Sequence, residues 1–136
     1  PYKLDFEMFT TEVLEEYEPE LQDVVNISSN IWDVLHDGMR RVIQTHSQFD
    51  GLGIEVAGKT GTAELDLRHP NHGLFVGYAP ASDPEYAVAI RIANGYSSGN
   101  ACLIANDTFK YMYNLADKDS ILTGVASTDT SDTSND

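Results

Sequence analysis

Three patterns of apolar and polar positions succeed one another along the chain. Tyr2, Leu4, Phe6 and Met8 alternate with Lys3, Asp5 and Glu7, and residues 11–17 continue in β-compatible types. A period of two reads as strand, so this stretch predicts a hairpin turning near Thr10 and Thr11 and ended by Pro19. The spacing then changes to three and four. Ile31, Trp32, Leu35, Met39, Val42 and Ile43 fall on one stripe and Asp33, Asp37, Arg40 and Arg41 fall elsewhere, which predicts a helix capped by Ser28 or Ser29 and running to about Thr45. Early acid and the late Arg40–Arg41 pair suit its dipole. Asp50-Gly51-Leu52-Gly53 is turn sequence.

Three strands are predicted next, at residues 54–64, 73–79 and 86–93, separated by Asp66, by His69-Pro70-Asn71 and by the Pro- and Asp-containing residues 80–84. Residues 86–92 are nearly all apolar, as in a strand covered on both faces. Residues 95–100 read as a loop. A last helix is predicted from Ala101 to about Leu115, presenting Ile104, Ala105, Phe109, Met112 and Leu115. From Asp117 the chain turns to Ser, Thr and Asp, so residues 117–136 read as an acidic tail, disordered in solution, behind a unit covering 1–116. The fold class that follows is α/β in the α+β sense: an antiparallel sheet covered by helices.

Composition narrows the function. At 136 residues, 41% hydrophobic and 22% charged, the chain has about one domain's worth of ordinary globular sequence. A net charge of −14 argues against nucleic acid and against unaided adhesion to an anionic membrane. No apolar run approaches the ~20 residues of a membrane span. The first residue is Pro1, with no basic and apolar leader after it, so the chain reads as cut from something longer. Cys102 stands alone and reads as a small buried helix residue. His36, His46, His69 and His72 show no zinc spacing, so no metal is expected and the histidines read as surface or cap residues.

The chemistry concentrates in Val56-Ala57-Gly58-Lys59-Thr60-Gly61-Thr62-Ala63-Glu64. Gly53, Gly58, Lys59 and Thr60 satisfy the phosphate-loop spacing G-x-x-x-x-G-K-[ST]. That loop must follow a buried strand and open a helix, whereas here a helix and a turn precede it, Gly61 follows it, and Ile54-Glu55-Val56 alternates like strand. Nucleotide binding is set aside on those grounds. Lys-Thr-Gly by itself arises by chance in roughly a few per cent of chains this long. Its context makes it specific. Lys59-Thr60-Gly61-Thr62 resembles the third signature of the penicillin-binding proteins, Phe75-Val76-Gly77-Tyr78-Ala79-Pro80 resembles their following strand, and Gly38-Met39-Arg40-Arg41-Val42 is similar to the helix before the motif. The resemblance spans residues 1–115 and is to the class B, high-molecular-weight type. By it, the chain is the C-terminal portion of a penicillin-binding-protein/β-lactamase-like transpeptidase fold.

The resemblance implies a parent enzyme that cross-links peptidoglycan on the outer face of the bacterial cell membrane. It would attack the D-Ala-D-Ala end of a stem peptide through a serine acyl-enzyme, be trapped by β-lactams and use no cofactor. Of the family's three motifs only one is present: no serine stands three residues before a lysine anywhere in the chain. Ser28-Ser29-Asn30 and Ser98-Gly99-Asn100 match the second motif in letters, but the first reads as a helix cap and the second follows Lys59 in the wrong order. The implied roles are therefore partial. Lys59 supplies charge to the substrate carboxylate and the proton network. Thr60 and Thr62 bond the carboxylate, the Thr62 N–H joins the oxyanion hole, and Gly61 lets a peptide approach the strand edge. Gly58 reads as a packing residue under a crossing helix. The implied partners are the stem peptide, β-lactams and the missing N-terminal part of the domain, with neither nucleic acid nor membrane contacted by this piece. A penicillin-sensing receptor, a D,D-carboxypeptidase fragment, and a non-enzymatic module with Lys59 as a plain surface lysine are the alternatives.

Overall fold

A computed structural model describes residues 20–64, 66–121 and 128; the expected N-terminal hairpin and nearly all of the tail beyond Ile121 lie outside them. Helix α1 spans Ser29–Gln44, followed by one 3₁₀ turn at Ser47–Phe49. Strands β1 (Ala57–Ala63), β2 (His72–Ala79) and β3 (Tyr86–Ile92) come next, then helix α2 (Ser98–Met112) and a single-turn α3 (Lys118–Ile121). The three strands form one antiparallel sheet in the order β1-β2-β3, with β2 central.

The inner face of the sheet meets α2. Phe75 is fully buried and clusters with Phe49, Leu52, Val56, Ala79 and with Ala101, Cys102, Ala105 and Phe109 of α2. Glycines make room for it. Gly58 and Gly77 are ladder partners, and a methyl on either would stand within 2.7 Å of the Phe75 ring. The tip of the ring thus sits against a glycine pair, with Phe49 5.5 Å away centre to centre. Gly58 is a packing residue, but beneath an aromatic ring and the neighbouring strand rather than beneath a helix.

Several boundaries differ from the sequence expectation, each for a local reason. β1 begins at Ala57 rather than at residue 54, because Gly53 has φ +85° and the Glu55 carbonyl accepts the Ala81 N–H at 2.8 Å outside the ladder. β3 is not covered on both faces. Val88, Ile90 and Ile92 pack against the core, whereas Ala87, Ala89 and Arg91 are exposed. Alanine made an ordinary one-sided strand look continuously apolar. α2 starts at Ser98, so Ser98, Gly99 and Asn100 belong to the helix, and it stops at Met112. Asn114, at φ +52°, takes the left-handed position there. The Leu115 N–H then reaches the Lys110 carbonyl and the Asn114 N–H reaches the Tyr111 carbonyl, a Schellman ending.

Helix α1 leans on β1 through the half of its stripe near His36, Met39 and Ile43. The His36 ring meets Tyr78 at 5.7 Å, and the Arg40 guanidinium donates to the Ala81 carbonyl at 2.9 Å. Ile31 and Leu35, on the expected apolar stripe, remain about half exposed, and Val34 is more so. Ser28 occupies the N-cap as expected but makes no side-chain cap bond, and no acid lies in the first turn.

Candidate functional site

Lys59, Thr60, Gly61 and Thr62 are consecutive residues of β1, so they alternate between its two faces. Thr60 and Thr62 look toward α2, together with their ladder partners Phe75 and Gly73. Lys59 and Gly61 look the other way, opposite Val76 and Leu74. The four residues therefore converge on an edge and not on one face. Among the described residues β1 pairs only with β2, leaving its outer edge without a strand neighbour. Lys59 is exposed and donates its ammonium to the Thr60 carbonyl at 2.7 Å. Since Lys59 is the third residue of a strand and opens no helix, the phosphate-loop reading is removed.

The two threonines differ. Thr60 is 4% exposed, and its hydroxyl has no hydrogen-bond partner among the described residues. Thr62 is half-buried, and its hydroxyl oxygen accepts the Ser98 N–H at 3.3 Å. The two glycines differ as well. A methyl on Gly61 would meet only the Leu74 side chain at 3.5 Å, an ordinary contact. Packing requires glycine at 58 and not at 61.

One contributor was not legible in the chain. The turn entering α2 reaches the start of β2: the Tyr96 N–H donates to the Asn71 carbonyl at 2.9 Å and the Asn94 N–H to His72 Nδ1 at 3.0 Å. Asn94 and Tyr96 have φ +54° and +67°. The Asn94-Gly95 dipeptide signalled a turn, but nothing local tied that turn to Thr62. Of the other histidines, His69 bonds Asp66 at 2.9 Å in the connection before β2. Asp66 is held below the usual carboxylate range, first by the Arg68 backbone N–H and then by His69. Among the described residues no group of His, Cys, Asp and Glu is placed to hold a metal ion, and no helix is long and apolar enough to cross a membrane.

Comparison with known proteins identifies the family of the chain. The family described as penicillin binding protein transpeptidase domain matches residues 5–113. The chain belongs to that family. Penicillin-binding relatives include the peptidoglycan D,D-transpeptidase MrdA of Acinetobacter baumannii, 36% identical over 104 residues, covering 66% of this chain and 15% of the relative. Penicillin-binding protein 2B of Streptococcus pneumoniae is 30% identical over 116 residues, covering 74% of this chain and 17% of the relative. Among solved structures, Pseudomonas aeruginosa PBP2 in complex with WCK 5153 superposes with a TM-score of 0.58 at 31% identity, covering 76% of this chain and 24% of that one. The relatives are class B penicillin-binding proteins, and the antiparallel sheet with its helices is part of their transpeptidase fold. The chain spans less than a fifth of the length of the curated relatives it matches.

Proposed function

We propose that this chain is the C-terminal part of a peptidoglycan D,D-transpeptidase domain and supplies its substrate-binding strand. The observation that carries the reading is the Lys59–Thr62 segment on a sheet edge with no strand neighbour among the described residues, inside a chain that matches the transpeptidase family over residues 5–113. An open edge offers backbone N–H and C=O groups to an extended peptide, which can add to it as a strand. Gly61, free of any packing requirement, keeps that approach clear.

In the complete enzyme a serine outside this chain attacks the carbonyl of the penultimate D-alanine. The peptide bond to the terminal D-alanine breaks, that residue leaves as its amine takes up a proton, and an acyl-enzyme remains. An amine of a second stem peptide then displaces the serine oxygen and forms the cross-link. Lys59 presents a cation to the terminal carboxylate and to the proton network around the serine. The Thr60 and Thr62 hydroxyls bond the carboxylate, and the Thr62 N–H stands as one oxyanion donor, of the kind whose loss costs on the order of 10²–10³ in rate. The buried Thr60 hydroxyl, without a hydrogen-bond partner among the described residues, supports its share in this. β-Lactams present a carboxylate beside a reactive amide and take the same path. Such a parent works on the extracytoplasmic side of the cell membrane, where peptidoglycan is.

A fluorescent penicillin tests the reading. The complete protein is expected to acquire a stable label in a denaturing gel, and Lys59→Ala is expected to lose most of it. A fully labelled Lys59→Ala protein would remove Lys59 from the site.

A further inference from the structure

The turn between β3 and α2 crosses β2 at Gly73. A methyl there would stand 2.3 Å from the Ser97 carbonyl oxygen and 3.1 Å from its carbon, so only glycine lets the turn sit this low. Gly73 is the ladder partner of Thr62. The seat therefore brings the first helical residue, Ser98, over the motif strand, where its N–H donates to Thr62 Oγ1. The four N–H groups at a helix start lack intrahelical acceptors, and this one finds its acceptor on a strand thirty-six positions away in sequence. The turn is held elsewhere too: Asn100 Nδ2 donates to the Gly95 carbonyl at 2.8 Å, and Asn71 and His72 hold Tyr96 and Asn94.

We propose that the Ser98 amide, seated by Gly73, is the positioning group for Thr62. A threonine has few χ1 choices, and they differ in whether its hydroxyl or its methyl faces the turn. The Ser98 N–H selects the hydroxyl, which sets how Thr62 meets the carboxylate of the peptide or β-lactam. This rests on the reading of the β1 edge given above. It places in the working site an element that shares no sequence motif with it.

Proline separates the amide from the rest of Ser98. Ser98 is the first residue of α2, where proline fits a helix, and Ser97 already has the extended backbone that precedes proline, φ −141° and ψ 162°. Ser98→Pro thus deletes the N–H, whereas Ser98→Ala deletes the hydroxyl and keeps the N–H. In the complete transpeptidase, Ser98→Pro is expected to be acylated by fluorescent penicillin about ten-fold more slowly than Ser98→Ala, the scale of one hydrogen bond. In a Thr62→Val background that ratio should collapse toward one. Thermal unfolding verifies that each variant is folded. If Ser98→Pro does not fold, Gly73→Ala carries the same comparison against wild type, with the same collapse expected in Thr62→Val. Equal rates in folded Ser98→Pro and Ser98→Ala overturn the proposal. A deficit that persists undiminished in Thr62→Val also overturns it, because the effect would then be general distortion. Wild-type acylation in Thr62→Val alone marks a different failure: Thr62 would have no role to position, and the reading of the edge would fall with it.

Discussion

The sharpest contrasts are between neighbouring residues of β1. Gly58 and Gly61 look alike in sequence, but a methyl on Gly58 meets the Phe75 ring at 2.7 Å and a methyl on Gly61 meets Leu74 at an ordinary 3.5 Å. Gly58→Ala is expected to destabilise by about 1–3 kcal/mol through overpacking. Gly61→Ala should stay within about 0.5 kcal/mol of wild type while slowing acylation of the complete enzyme; chemical denaturation and penicillin labelling measure the two effects. Lys59→Ala also belongs to this scale. The side chain is exposed, so stability should again move by less than about 0.5 kcal/mol, whereas acylation loses a charge-assisted contact, roughly twice as strong as a neutral one. Lys59→Arg distinguishes charge from proton transfer, since guanidinium keeps the first and cannot perform the second. Full recovery of acylation in Lys59→Arg would assign the lysine to charge alone.

At the scale of elements, the end of α2 is joined to the end of β2 by a single hydroxyl. Tyr113 donates to the Ala79 carbonyl at 2.6 Å, and its ring meets Tyr86 edge-on at 5.5 Å. Burial, followed by the nearby Glu85 charge, pushes the Tyr113 phenol above the ordinary tyrosine range. A raised folded value means that the neutral phenol is favoured by folding. The stabilisation is complete below the unfolded tyrosine value and disappears as pH rises through the folded one. Tyr113→Phe is therefore expected to cost about 1 kcal/mol at neutral pH and to remove part of the alkaline loss of stability; denaturation at neutral and alkaline pH measures both. The longer elements were readable in order, but the 3₁₀ turn was not, and α3, with Ile121 buried, falls inside the stretch read as a disordered tail from residue 117. The 3/4 stripe found α1 to within a residue at each end, because helix periodicity is a property of contiguous residues. β3 was read with the wrong exposure, because the apolar count treats its outward Ala87 and Ala89 like core residues.

Among the described residues, α2 packs one face of the sheet, while α1 covers part of the other at Ala57 and Tyr78 and leaves much of its own apolar stripe exposed. Val24, Val25 and Val34 are each about two-thirds exposed or more, and Ile31 and Leu35 about half. Apolar side chains exposed in this way offer contacts to a solvatochromic dye. The isolated chain is expected to bind such a dye, and Ile31→Glu with Leu35→Glu to reduce the signal; an unchanged signal would place the dye elsewhere. The isolated chain is also expected to form no stable penicillin adduct, because no serine in it stands three residues before a lysine. Mass spectrometry after penicillin treatment decides this, and an adduct on any residue would locate a nucleophile inside the chain.

Neighbours along the chain carry the helix stripe, the turn residues between strands, and the Lys59–Thr62 motif with its flanking family features. Each is a pattern of side-chain types within a few residues, and periodicity expresses it directly. What depends on residues far apart emerges with the fold. Gly58 answers to Phe75, Gly73 to Ser97, and Thr62 to Ser98. Those pairings arise when the ladder register and the crossing of α2 bring distant backbone within van der Waals distance, and no local pattern encodes a distance of that kind. For the same reason a string set aside as a stray serine motif, Ser98-Gly99-Asn100, stands against the motif strand in the folded chain.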